Sequence, residues 1–332
     1  MMFIQLEDIK QAKENLAGVI KDTPLQYSKT LSNRCGNAIY LKPENLQKTG
    51  SFKIRGAYNK IASLSNAAKK KGVVAFSAGN HGAGTAYAAK ALGVQATVVL
   101  PENPVPSKKN AIIDYGAKAV EWGTDSIAMY ERVLRFHEED GMEIIHPFED
   151  YFTIAGQGTI GIEIIKELPD VDAVIVPVSG GGLISGVAAC LKEMKPTTEV
   201  IGVNSEGAQA MFYSLQKGKP SEVNEVNTIA DGLMAKRPGE LTFRHTQKYV
   251  DRLVLVTEKE IAETVAILAE RAKLVVEPSG AASLAAILYN HVNLKNKKAV
   301  VLVSGGNVNF RLYSQLLTEY ANKVFDKERL LK

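Results

Sequence analysis

Short apolar runs alternate along the chain with stretches whose apolar positions recur every three or four residues. The runs at 38–42, 72–76, 96–100 and 119–122 read as strands, and 85–92, 108–115 and 126–139 read as the helices between them. The alternation then resumes. Segments 172–178, 200–203, 253–256 and 299–303 are strand-like, with helices expected at 184–195 and 258–272. The strand runs are continuous in Val, Ile and Leu rather than alternating with polar residues. Such strands need cover on both faces, which predicts open, mostly parallel sheets flanked by helices. The opening stretch MMFIQLEDIKQAKENL has amphipathic helical spacing with charges throughout, unlike a secretory leader. Segment 216–228 is weakly patterned and is expected to be a surface excursion.

Composition narrows the class. At 332 residues, 45% hydrophobic and 23% charged, the chain has room for about two domains with a sizeable core. The net charge of +4 is dispersed, apart from lysines at 69–71 and the basic run 295–298, which are expected at solvated ends of elements. There is no basic stripe interleaved with aromatics, so nucleic acid is not an expected partner. Two cysteines, Cys35 and Cys190, make neither a disulfide framework nor a zinc site. No apolar run reaches about 18 residues, so no membrane span is expected, and the cytoplasm is the expected compartment.

In open α/β sheets ligands bind outside the carboxyl ends of the strands. Three glycine-rich turns fall there. Ser179-Gly180-Gly181-Gly182-Leu183 lies between a strand and a helix, where bare backbone amides and the helix N-terminus suit a phosphate. Gly180-x-Gly182-x-x-x-Gly186 is also a variant dinucleotide fingerprint, with Glu206 as candidate ribose ligand, and a plain tight turn would use the same glycines. Ser77-Ala78-Gly79-Asn80-His81 offers short donors to a carboxylate or a phenolate oxygen; the alternative is a helix capped by Ser77 or Asn80. Ser304 opens the third turn with a neutral hydroxyl, which could equally be a cap. A fourth feature is Lys53, set in Thr-Gly-Ser-Phe-Lys-Ile-Arg-Gly-Ala. It is either a snorkelling lysine or an amine whose pKa is lowered by apolar neighbours and Arg55, so that it attacks a carbonyl.

Taken in order, Ser-Phe-Lys-x-Arg-Gly-Ala, Ser-Ala-Gly-Asn-His, Ala155-Gly156-Gln157-Gly158-Thr159, Gly-Gly-Gly-Leu, Ala230-Asp231-Gly232, Glu277-Pro278-Ser279-Gly280-Ala281 and Ser-Gly-Gly-Asn resemble the serine/threonine dehydratases. The likeness runs over about residues 5–320. These are pyridoxal-phosphate (PLP) enzymes of the tryptophan-synthase β-like fold, fold type II, with the cofactor between two α/β units. The resemblance implies a large PLP-binding domain from 1–68 and 147–332, a small mobile domain at 69–146, and no C-terminal regulatory domain. It implies that Lys53 forms the Schiff base, that amides of Ser179, Gly180, Gly181, Gly182 and Leu183 hold the phosphate, that Asn80 meets the ring oxygen, and that Phe52 lies near the ring. Ser304 would face the pyridine nitrogen, and Ser77, Ala78, Gly79, Asn80 and His81 would bind the substrate carboxylate. The family often has four glycines where this chain begins with Ser179, whose hydroxyl would add a phosphate contact.

A neutral Ser304 leaves the pyridine nitrogen largely unprotonated and favours prompt loss of a β-substituent. The implied reaction is β-elimination from L-threonine, and L-serine, to 2-oxobutanoate or pyruvate plus ammonia. Serine racemases of the family carry Ser-Ser-Gly-Asn-His, with the second serine as proton donor; this chain has Ala78 there. Racemases and some relatives also hold a divalent cation at positions matching Asn204 and Ala210, neither of which offers a carboxylate, so no metal is expected. His81-Gly82-Ala83-Gly84 departs from the His-Ala-Gln-Gly usual in threonine dehydratases, which keeps 3-hydroxyaspartate dehydratases open beside the racemases. More distant readings are an NAD(P) oxidoreductase and a catalytically silent amino-acid sensor. A homodimer or homotetramer is the expected assembly.

Overall fold

The computed structural model describes residues 3–77 and 79–320. Among these residues the strands are β1 (Gln26–Tyr27), β2 (Ala38–Pro43), β3 (Val73–Phe76), β4 (Ala96–Leu100), β5 (Lys118–Glu121), β6 (Glu143–Ile144), β7 (Ala173–Pro177), β8 (Glu199–Ser205), β9 (Arg252–Val256) and β10 (Lys298–Val303). They form a six-stranded sheet, β1-β2-β10-β7-β8-β9, and a four-stranded one, β5-β4-β3-β6. β1 is antiparallel to β2; every other pairing is parallel.

The continuous apolar strands are covered on both faces. In β10, Ala299, Val301 and Val303 join one core with Ile175, Ile201 and the helices Glu258–Ile267 and Pro278–Leu288. Val300 and Leu302 join the other, with Val174, Val176 and the helices Tyr151–Glu167 and Gly182–Met194. Successive side chains point to opposite faces, so one strand feeds both cores. The smaller sheet is likewise sandwiched: Ala75, Val98 and Leu100 pack under the helices Lys53–Ser63 and Asn80–Ala91, and Val74 and Val99 under Ser126–Asp140. No helix of the described residues is long and apolar enough to cross a membrane.

The helix Lys53–Ser63 is wedged between the two units. Its Ile54, Ala57 and Ile61 belong to the core of the four-stranded sheet. Its opposite side meets the helix Tyr151–Glu167 so closely that a Cβ on Gly56 would lie 2.7 Å from the Thr153 carbonyl oxygen and 2.8 Å from Thr153 Cγ2. Gly156 returns the contact: a Cβ there would lie 2.7 Å from Gly56 Cα. Gly56→Ala is therefore expected to destabilise the protein by about 1–3 kcal/mol through overpacking. It should also displace Lys53, one turn away on the same helix. A denaturation midpoint checks the loss of stability.

Two expected elements differ in form. The helix foreseen at 258–272 is α-helical over Glu258–Ile267 and closes in a π-helical turn, Leu268–Ala272, capped by Lys273 at φ +59°. The helix foreseen from residue 85 starts at Asn80, because Gly82 and Gly84 are inside it rather than in a turn. The stretch after Lys217 is irregular up to the short turn Asp231–Leu233, as its weak pattern suggested.

Candidate active site

β10 and β7 are parallel neighbours, Ala299 beside Ala173 and Val301 beside Ile175. The turns that follow them, starting at Ser304 and at Val178, thus leave the sheet side by side. The lysine segment is stitched to the first of them. Phe52 N–H donates to the Ser304 carbonyl at 3.2 Å, and Ser51 bridges to Gly305. Lys53 Nζ donates to the Pro147 carbonyl at 2.9 Å and stands 5.2 Å from the Phe52 ring centroid.

The next residue, Phe148, backs the glycine turn. A Cβ on Gly182 would come within 2.8 Å of Phe148 Cα, and one on Gly180 would run into its ring. Gly181 has φ +97°, which costs a residue with a side chain about 1–2 kcal/mol. Thr242 Oγ1 donates to the Gly180 carbonyl at 2.6 Å and anchors the turn from behind. The helix Gly182–Met194 opens here, so its first amides have no acceptor within the helix and face the cleft with the positive end of its dipole. Leu183 itself is buried, leaving its backbone as the group presented. Ser179 Oγ accepts from Ala235 N–H at 3.2 Å and keeps its own proton to donate. The third glycine of the dinucleotide reading has another use: a Cβ on Gly186 would lie 2.6 Å from Gly158 N, so Gly186 serves close helix packing.

The electrostatics correct one expectation. Arg55 does not press on Lys53. All five of its N–H donors are taken: Nε and Nη2 by Glu44 at 2.8 Å each, Nη1 and Nη2 by Glu163 at 2.6 and 2.9 Å, and Nη1 by Thr159 Oγ1 at 3.1 Å. Arg55 and Glu44 are fully buried, and the guanidinium is held firmly charged by the two carboxylates despite its burial. The amine of Lys53 is lowered to about 8 by burial itself, with Glu277 opposing the fall. Part of the lysine stem remains open to the cleft. His81 and His146 are lowered to about 3 and about 4, chiefly by burial and further by Lys53, so neither carries a competing positive charge.

Asn80 heads the helix Asn80–Ala91. Its Nδ2 donates to Glu277 Oε1 at 2.7 Å, and its Oδ1 accepts from Asn307 Nδ2 at 2.7 Å. Ser77 Oγ accepts from Gly79 N–H at 3.0 Å. His81 turns its ring inward, Nε2 on the Ile145 carbonyl at 2.6 Å, so its backbone N–H is what it offers the turn. Ala78 lies outside the described residues. Ser304 is 4% exposed and its hydroxyl takes no hydrogen-bond partner among the described residues. Contacts thus tie Lys53, Phe52, Ser304, Asn80 and the glycine turn into one cluster. Pro147, Phe148, Glu277 and Asn307 complete it without having been assigned a role from sequence; only a strand-turn register at 145–148 could have flagged the first two.

A reactive amine, a side-chain-free anion cradle and an orphan hydroxyl fit an aldehyde cofactor that carries a phosphate and a ring nitrogen. The model of the pyridoxal-phosphate-dependent enzyme family matches residues 16–306. The chain belongs to that family. It is 48% identical to L-threonine ammonia-lyase of Thermotoga maritima over 95% of this chain and 79% of that one. It is 44% identical to the catabolic L-threonine dehydratase of Escherichia coli K12 over 94% and 96% of the two. Among solved structures, maize serine racemase superposes with a TM-score of 0.91 at 35% identity, covering 97% of this chain and 99% of that one. This PLP enzyme therefore has the tryptophan-synthase β-like fold. The dinucleotide reading falls away with the family assignment, and Gly186 is taken up by close helix packing.

Proposed function

We propose that this PLP enzyme is a lyase that removes water from L-threonine, and from L-serine as a second substrate, releasing 2-oxobutanoate or pyruvate and ammonia. The observation that carries the reading is the pairing of a buried, easily neutralised Lys53 amine with an uncharged Ser304 hydroxyl at the carboxyl end of β10. The names borne by relatives at 44–48% identity support it.

Bound PLP supplies an aldehyde for the amine and a sink for electrons from the substrate α-carbon. The chain supplies the rest. Amides at the start of the helix Gly182–Met194 hold the phosphate, and Ser179 O–H adds a donor. Asn80 keeps one N–H free for the ring oxygen. Ser304 accepts or donates one hydrogen bond at the ring nitrogen without fixing a positive charge there. The amides of Asn80 and His81, at the helix N-terminus, take the substrate carboxylate. Lys53, as a neutral amine, would take the α-proton; that proton would leave with the β-hydroxyl as water, and the released enamine would take up water to give the 2-oxo acid and ammonia. Two-fold or four-fold assembly of the chain belongs to the same reading.

Racemisation needs a proton donor on the face opposite Lys53. Alanine at position 78 offers none. Asn204, at the position relatives use for a cation, is buried with Nδ2 on the Val178 carbonyl at 2.8 Å and Oδ1 on Phe212 N–H at 3.1 Å. Its oxygen is engaged by Phe212 N–H and it offers no carboxylate, so activity is expected to be indifferent to added magnesium. The test is release of 2-oxo acid from L-threonine, L-serine, D-serine and the 3-hydroxyaspartates, with and without magnesium. Fastest release from L-threonine, equal with and without the ion, is expected. D-serine accumulating from L-serine faster than pyruvate would mark a racemase instead.

A further inference from the structure

Glu277 is 3% exposed and caps the helix Pro278–Leu288, yet no step above uses it. It terminates a hydrogen-bond chain of fixed direction. The Thr49 carbonyl can only accept, so the group facing it at 2.8 Å must be Asn307 Nδ2. The same Nδ2 donates to Asn80 at 2.7 Å, which must therefore present Oδ1 there and Nδ2 to Glu277. Only one of the two Nδ2 hydrogens goes to Glu277, and the other is left for the cleft. Asn307 sets which way the Asn80 amide faces, and Glu277 supplies the buried acceptor that holds its Nδ2 in place.

Glu277 also meets water. A cavity of about 100 Å³ at the junction of the two units is lined by Lys108, Asp231, Glu277 and Asn307 together with apolar Ile229 and Leu312, and its volume and polar groups let solvent reach the carboxyl. Lys108 comes from the helix Pro106–Asp114 of the four-stranded unit and reaches Asp231 across the junction at 2.5 Å. The charged groups facing Glu277 are therefore Asp231, which repels it, and Lys108 and Lys53, which attract it; Asn80 Nδ2 and the Asn307 backbone N–H hydrogen-bond to it.

We propose that Glu277 is a positioning residue for PLP, acting through Asn80 to aim an N–H at the ring oxygen, and that the Lys108–Asp231 pair sets how readily it takes up a proton through the cavity. The inference rests on the family assignment and not on which amino acid is the substrate. Burial, then the Asp231 charge, raise the Glu277 carboxyl to about 7, which places its proton exchange in the neutral range.

The test follows the visible absorption of the PLP-loaded protein against pH, with PLP titrations and apoprotein unfolding alongside. The wild-type spectrum should change with one midpoint near neutrality. Glu277→Gln, which still accepts from Asn80, should bind PLP but lose that midpoint. Glu277→Ala should raise the PLP dissociation constant about 10-fold, because Asn80 loses its buried acceptor. Asp231→Asn should move the midpoint down and Lys108→Met should move it up, each by less than about one unit since Asp231 is half exposed. In the apoprotein the folded state binds more protons than the unfolded chain between pH 4.5 and about 7, so wild-type stability should fall across that window relative to Glu277→Gln. A wild-type spectrum flat with pH, a Glu277→Gln protein that keeps the wild-type midpoint, or a Glu277→Ala protein that binds PLP as tightly as wild type would each overturn the proposal. Loss of lyase activity alone would not bear on it.

Discussion

Lys53→Ala is expected to cut turnover by at least about 10³-fold, the scale of losing both a nucleophile and a general base. The fold should survive. The ammonium has one carbonyl partner, Pro147, and its burial opposes its charge, so its removal takes away a destabilising charge at neutral pH. The sign of the pH dependence follows. The amine is lowered from 10.5 to about 8 in the folded state, so between those values the unfolded chain holds more protons and apoprotein stability rises with pH. The advantage of Lys53→Ala over wild type should be largest below about pH 8 and shrink above it. The rate at which apoprotein captures PLP should rise towards the same pH as the neutral amine forms. A mutant that unfolds, or one that turns over at the wild-type rate, contradicts this account.

Arg55→Met carries the second large effect, on stability rather than chemistry. It strips the cation from two carboxylates, Glu44 with no exposure and Glu163 nearly enclosed, while Lys42 reaches Glu163 at 2.6 Å, the Thr23 carbonyl at 2.7 Å and Glu167 at 3.8 Å but makes no ion pair with Glu44. Removing one partner of a buried ion pair costs about 3–5 kcal/mol. The midpoint of unfolding should fall accordingly. Adding Glu44→Gln to Arg55→Met should recover part of the loss, since it removes the most deeply stranded charge. An unchanged midpoint for Arg55→Met would mean that the network does not hold the lysine helix in place.

The same arginine shows where sequence reading stops. Beside Lys53 in the chain, it reads as an electrostatic neighbour. Its partners Glu44 and Glu163 come from other elements, and a helix places side chains two residues apart about 200° round its axis, so the two cations face different surroundings. The strands were legible because runs such as 96–100 and 299–303 have no polar break. Several helices were not. Every residue of Pro278–Leu288 is buried, so it has no apolar stripe to reveal a period. Tyr151–Glu167 contains Gly156, Gly158 and Gly161, which lower helix propensity but allow its neighbours to approach. The glycine turns at strand ends were readable because such turns have few uses, and the resemblance attached cofactor roles to them. Glu277 was visible only as part of a motif, since its burial and its hold on Asn80 depend on residues about 200 positions apart.

The central claim is that Lys53 is the amine that binds PLP. The direct measurement is borohydride reduction of the PLP-loaded protein, digestion, and mass spectrometry of the peptides. The account predicts a stable pyridoxyl-phosphate adduct on the peptide containing Lys53, absent from Lys53→Ala. An adduct on a different lysine, or none in a protein that still turns over L-threonine, would contradict it.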